Sequence, residues 1–130
     1  MPMPDINDLI GVRFLDHGRD KEHGFDCYGL AIEVSRRYGH ILPDLWYEHG
    51  DAPTFNKHAG DVIKELSGSV EHTDQQDEGN IVIFFDGNRM VHIGVILEDD
   101  MFIHCDKYGV RIQRLSEYYR RKWALYKWKD

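Results

Sequence analysis

One cysteine in a glycine-flanked turn, Gly24-Phe25-Asp26-Cys27-Tyr28-Gly29-Leu30, and two histidines much further along, His92 and His104, have the residue types of a thiol nucleophile, its base and the group that orients the base. A thiolate in the first turn of a helix is favoured by unpaired backbone N–H groups and the helix dipole, and a neighbouring imidazole lowers its pKa further as an ion pair. His92 and His104 stand twelve residues apart across the turn-like Glu98-Asp99-Asp100. A hairpin centred on that turn sets them on neighbouring strands, nearly opposite each other. The even separation sends both side chains to one face of the sheet and Cys105 to the other. On this parity His92 is the general base for Cys27, His104 bonds the far nitrogen of His92 and fixes its tautomer, and Cys105 is excluded as the nucleophile. Taken singly, each residue has a structural explanation, a small buried hydrophobe for Cys27 and satisfied strand positions for the histidines. The conjunction of three placements favours chemistry.

The elements that must position these residues can be read from patterning. Cys27, Leu30, Ala31, Val34 and Tyr38 recur along one face of a helix, with Asp26 as its N-cap and Gly39 as its stop. Before it come a short segment around Ile6 to Ile10 and a polar loop from Asp16 to Gly24. His40 to Gly60 reads as loop, followed by a short helix over about Asn56 to Leu66 with Val62, Ile63 and Leu66 on its apolar face. From Gly79 onward β-prone runs take over: Ile81 to Phe85, Val91 to Leu97, Met101 to Cys105 and Val110 to Ile112, separated by turn residues. These predict an antiparallel meander. Leu115 to Arg121 adds a helical turn and Trp123 to Trp128 a last strand. Helix first and sheet after is an α+β arrangement.

Composition narrows the classes. A chain of 130 residues with 42% hydrophobic content supports one core, so a single domain over 1–130 is expected. Sixteen basic against twenty-three acidic side chains leave a net charge of −7, which repels phosphate backbones and argues against a nucleic-acid partner. No apolar stretch approaches the roughly 20 residues that span a bilayer, and Met1-Pro2-Met3-Pro4-Asp5 lacks a basic region followed by an apolar run. Membrane insertion and a signal peptide are therefore not expected, and synthesis in the cytoplasm is. Two cysteines cannot build a disulfide framework, although one bridge between Cys27 and Cys105 stays arithmetically open. The remaining histidines, at 17, 23, 40, 49, 58 and 72, lack the short spacing of a metal site and read as solvated loop residues. Neither a metal nor another cofactor is expected. Trp46, Tyr47, Phe55, Trp123 and Trp128 read as core and wall residues, with Trp46 and Tyr47 in a loop where binding residues commonly occur.

Phe25-Asp26-Cys27-Tyr28-Gly29-Leu30 resembles the Asp-Cys-Ser-Gly-Leu/Phe signature of the NlpC/P60 cysteine peptidases, and His92-Ile93-Gly94-Val95-Ile96-Leu97 resembles their His-Val-Gly-Ile-Tyr strand. Gly79 to Phe85 is similar to the strand before it, and Met101-Phe102-Ile103-His104 to the strand that ends in the third polar residue. The likeness covers about Ile10 to Ile112. Leu9 to Asp20 and Tyr38-Gly39-His40-Ile41-Leu42-Pro43 are most similar to the phage-tail branch of that family. The resemblance implies a papain-like α+β core, with the nucleophile at a helix N-terminus packed on an antiparallel sheet. It also implies that Cys27, with His92 and His104, hydrolyses an amide in peptidoglycan stem peptides, often after γ-D-glutamate. Other phage tail proteins are then expected partners. Asp26, Tyr28, Phe14 and Trp46 are the substrate-binding candidates. Tyr28 stands where the family has a small serine, Phe14 falls about where many members carry a tyrosine hydroxyl, and Asn80 replaces an aspartate. A tail assembly part with weak or no hydrolysis, and an acyltransferase or amidase of the same fold, are the alternatives.

Overall fold

The carboxylate of Asp26 accepts a 2.6 Å hydrogen bond from the Gly29 N–H and so caps helix α1, Cys27–Arg37. Its buried face is Cys27, Leu30, Ala31 and Val34, the periodic set of the sequence. Arg36 and Arg37 lie in the last turn, where cations suit the negative end of the dipole. Gly39 ends the element at φ +87°, a left-handed conformation that side chains with a Cβ rarely adopt. In the computed structural model the described residues are 4–48, 57–118 and 122–129.

In chain order, a 3-10 turn at Asn7–Leu9 precedes β1 (Arg19–Asp20) and β2 (Gly24–Phe25), which pair within the stretch read as a polar loop. After α1 come β3 (Lys57–His58), α2 (Ala59–Leu66), β4 (Val70–Thr73), β5 (Ile81–Asp86), β6 (Arg89–Ile96), β7 (Met101–Asp106) and β8 (Gly109–Arg114). A second 3-10 turn, Leu115–Glu117, leads to β9 (Lys122–Trp128). The expected helix start at Asn56, the aromatic Phe55, His49 and the expected turn end at Arg121 lie outside the described residues.

The main sheet runs β4-β9-β5-β6-β7-β8, antiparallel throughout, with β3 paired to the start of β6. The meander from β5 to β8 is as the turn residues predict. The last strand departs from chain order, since β9 inserts between β4 and β5 rather than beside β8. Strand β4 was missed because Glu71 and His72 are exposed and only Val70 of the strand is buried, which leaves no alternating apolar signal.

Both faces of the sheet are covered, which is why β5 and β6 read as nearly unbroken apolar runs. Ile81, Ile83, Ile93, Val95, Ile103 and Cys105 share one core with α1. Val82, Phe84, Val91, Ile96, Phe102 and Leu125 form a second on the opposite face, roofed by Leu115 and Tyr118. A bulge between Phe84 and Phe85 pairs Phe84 with His92 and Phe85 with Met90, so Val91 is the extra residue. The bulge resets parity: Met90 joins the helix-side core, while His92 joins Phe84 on the other face. No helix among the described residues is long and apolar enough to cross a membrane.

Candidate active site

Cys27 is the first residue of α1 and is 1% exposed. The backbone N–H groups of Ile93 and Tyr28 act on its sulfur and favour the thiolate. Ile93 adjoins His92, so the thiol from the helix layer meets β6 at the base expected from sequence. The route is a parting of strands. Pairing between β6 and β7 comprises Val95 with Ile103 and Ile96 with Phe102, and beyond it the two strands are not laddered. Gly94 stands at this parting, where a Cβ would lie 2.9 Å from Phe102 and 3.4 Å from the His104 Cβ. A side chain there would push the histidine strand away.

Across the parting, His92 and His104 are joined by a 2.7 Å hydrogen bond between Nε2 of the first and Nδ1 of the second. Their rings cross nearly at right angles, with centroids 4.9 Å apart. They share a face, as the even spacing requires, although the register places them diagonally rather than opposite. His104 also bonds Gln113 through its Nε2, 2.5 Å from the amide oxygen. Phe102 stacks on His104 at 4.5 Å, Phe84 lies 5.6 Å from His92, and Tyr118 packs 5.2 Å from His104. Both histidines are buried. Burial pushes His104 down to about 4, against the raising effects of Gln113 and Asp106, so its ring is neutral at pH 7.

The thiol departs from expectation. Burial pushes Cys27 well above the ordinary cysteine value, the neighbouring Asp26 carboxylate adds to this, and the Ile93 and Tyr28 N–H groups oppose it. A helix N-terminus favours an anion, but here desolvation and a carboxylate next in sequence outweigh it. The thiol of Cys27 is therefore protonated at neutral pH. Cys105 lies on the face away from the histidines, as parity requires. Its thiol donates to the Phe25 carbonyl at 3.1 Å and is pushed up to about 12, chiefly by burial. Both cysteines are free thiols.

Beneath Cys27 lies a polar knot. The fully buried Asp26 accepts four hydrogen bonds, from Gly29 N–H, Arg19 Nη1 at 2.9 Å, His17 N–H at 3.0 Å and the Tyr47 hydroxyl at 2.5 Å. Arg19 also bonds Asp44 through two nitrogens. Asp26 thus fixes the frame that carries the thiol. Tyr28 is fully buried with its hydroxyl donating to the Pro43 carbonyl, so its ring lies inside the core. Phe14 is half-buried and bridges to Phe25. Of the four expected substrate contacts Trp46 is the exposed one, at 76%, which also removes it from the core and wall set. Trp123 is likewise exposed. Of the loop histidines read as solvated, His17 and His58 are exposed, although His17 also stacks on Tyr47 and His58 caps α2 through its Nδ1, while His40 is half-buried and stacks on Trp128. Among the described residues no group of three or more His, Cys, Asp or Glu is gathered to hold a metal ion.

Sequence reading missed Gln113, Tyr118 and the role of Tyr47. Gln113 had a signal, since the Lys107-Tyr108-Gly109 turn pairs His104 with Arg111, and the residue two further on shares that face.

A helix that starts at a cysteine and packs on an antiparallel sheet makes this an α+β domain. The chain belongs to the NlpC/P60 family, whose sequence model matches residues 11–129. It is 28% identical over 122 residues to the murein DD-endopeptidase MepS/murein LD-carboxypeptidase of Escherichia coli K12, covering 92% of this chain and 56% of that protein. The same values hold for its counterpart in Escherichia coli O157:H7. The chain thus spans about half the length of the curated relatives it matches. Among solved structures, the NlpC/p60 domain of the peptidoglycan hydrolase SagA superposes with a TM-score of 0.63 at 18% identity, covering 92% of this chain and 90% of that one. NlpC2 from Trichomonas vaginalis gives 0.60 at 19% identity, covering 95% of this chain and 44% of that one. At such identities these two likenesses concern the fold.

Proposed function

We propose that this domain is a cysteine peptidase that hydrolyses a peptide amide in peptidoglycan stems, of the γ-D-glutamyl-diamino acid type. The observation that carries the reading is the hydrogen-bonded His92–His104 pair, with the backbone of Ile93, the neighbour of His92, acting on the sulfur of Cys27 at a helix start. The names of the relatives, a murein endopeptidase and a peptidoglycan hydrolase, support the substrate class. His92 takes the proton of the Cys27 thiol as the sulfur attacks the carbonyl carbon. The backbone N–H of Cys27, at the positive end of α1, stabilises the oxyanion, an effect worth on the order of a hundredfold in rate for one such donor. Collapse breaks the C–N bond, and the imidazolium of His92 gives its proton to the leaving amine. A water activated by His92 then releases the acid from the thioester. His104 holds the ring of His92 throughout. Cys27→Ala, incubated with purified muropeptides and followed by mass spectrometry, is expected to yield no product while keeping the wild-type circular dichroism. Product formation by that variant refutes the assignment.

The burial of Cys27 and His92, each 2% exposed or less, favours a second reading in which the domain serves chiefly as an assembly part of a phage tail. In that reading the chain is made in the cytoplasm and joins a particle. Thiol reactivity separates the two: Cys27 alkylated much faster than Cys105 at neutral pH supports the enzyme, and equal slowness of both supports the assembly part.

A further inference from the structure

We infer that Gln113 is a positioning residue that sets the direction of the hydrogen-bond chain through His104 and His92, leaving the lone pair of His92 on Nδ1. The inference rests on the reading of Cys27 and His92 as nucleophile and base. A neutral imidazole carries one N–H and one lone pair, and an amide oxygen accepts but does not donate. With the Gln113 oxygen 2.5 Å from His104 Nε2, that nitrogen holds the hydrogen. Neutral His104 then presents the lone pair of Nδ1, which lies 2.7 Å from His92 Nε2 and accepts its hydrogen. His92 is left with its lone pair on the buried Nδ1, the form able to take a proton from a thiol.

A donor in place of the Gln113 oxygen reverses every bond in the series. Neutral His92 would then carry its hydrogen on Nδ1 and could not act as a base there. With no acceptor at all, both series are open and the competent one is diluted. Once His92 is protonated, its charge is passed by the same bonds to the amide dipole, which favours the charged state. The β7–β8 register sets Gln113 opposite Phe102 on the face of His104, and the side chain is half-buried. The groups that face the pair are Tyr118 after the 3-10 turn, and Asp106 and Arg111 from β7 and β8, while Cys27 from α1 meets the backbone of Ile93 next to His92. Asp106 and Arg111 are paired with each other and act on His104 in opposite senses. Gln113 is the neutral group that bonds the ring directly.

The test uses the full chain with 15N-labelled histidine, and Gln113→Leu beside Gln113→Glu. In the wild-type protein at pH 7.5, about a unit above the free imidazole pKa, NMR is expected to find hydrogens on Nε2 of both rings. Gln113→Leu is expected to mix the tautomers of His92 and to slow iodoacetamide alkylation of Cys27 about tenfold or more. Gln113→Glu keeps an acceptor, so it retains the tautomer and moves the midpoint of alkylation to lower pH. A wild-type His92 with its hydrogen on Nδ1 overturns the inference whether or not either variant folds. So does a Gln113→Leu protein with unchanged tautomers and alkylation profile. Because these readouts need no substrate, the expected tautomers without muropeptide cleavage would overturn the proposed hydrolysis and leave the role of Gln113 standing.

Discussion

Replacing Asp26 should cost more stability than replacing any single charged residue on the surface, and the structure says how much. In Asp26→Ala the helix cap is lost, worth about 1 kcal/mol. The His17 N–H and Tyr47 hydroxyl lose their acceptor, at about 1 kcal/mol together once water reaches part of the gap. Removing one partner of a fully buried ion pair costs about 3–5 kcal/mol. Here the Arg19 side chain is 28% exposed and keeps Asp44, so about 2 kcal/mol is the appropriate share. The sum, about 4 kcal/mol, is a large part of the 5–15 kcal/mol that holds a typical domain together. Asp26→Asn retains one oxygen for Gly29 and Arg19 but turns an amide donor toward the His17 N–H, and should cost about 2 kcal/mol. Urea unfolding followed by circular dichroism at pH 7 measures both. An Asp26→Ala protein within 1 kcal/mol of wild type, or an Asn variant as costly as the Ala one, refutes the reasoning.

Two further outcomes follow from the same coordinates. Gly29→Ala places a Cβ 1.9 Å from the Gly18 carbonyl oxygen, a backbone atom that cannot swing aside, so the variant should lose about 3 kcal/mol or more in thermal or urea unfolding. His104 ties stability to pH: the unfolded chain takes its proton near 6.5, while burial holds the folded ring down to about 4. Over that window the unfolded state binds more protons, so this contribution is present above pH 6.5 and is lost as pH falls toward 4. Urea midpoints at pH 7.5 and 5 should differ more for the wild type than for His104→Gln, and an equal difference would count against the assignment.

The parts of the site carried by local signals were legible in the sequence. Asp26, Cys27 and Gly39 mark the two ends of a helix by types whose capping chemistry is short-range, and the turn residues between β5 and β8 fix a meander. The parity of His92 and His104 survived because the bulge lies before His92, outside the interval counted. What was not legible depends on distant partners. The insertion of β9 between β4 and β5 pairs residues 37 to 58 positions apart, and no local pattern records it. The expected acidity of the Cys27 thiol failed for the same kind of reason, since helix position is visible in sequence and desolvation is not. Tyr28 was a substrate-contact candidate because it adjoins Cys27, yet the first helical turn sends it inward to Pro43.

At the parting of β6 and β7 the contributions of two successive stretches of chain meet. Residues up to Leu66 supply the thiol and its buried Asp26 frame, and residues from Val70 onward supply His92, His104 and Gln113. Neither stretch holds a complete set. Two fragments cut between α2 and β4 would each be inert, and cleavage on mixing them would report the docking of helix on sheet. Proximity of Cys27 to Ile93 makes the proposed chemistry a gauge of tertiary assembly as well as a property of the assembled fold.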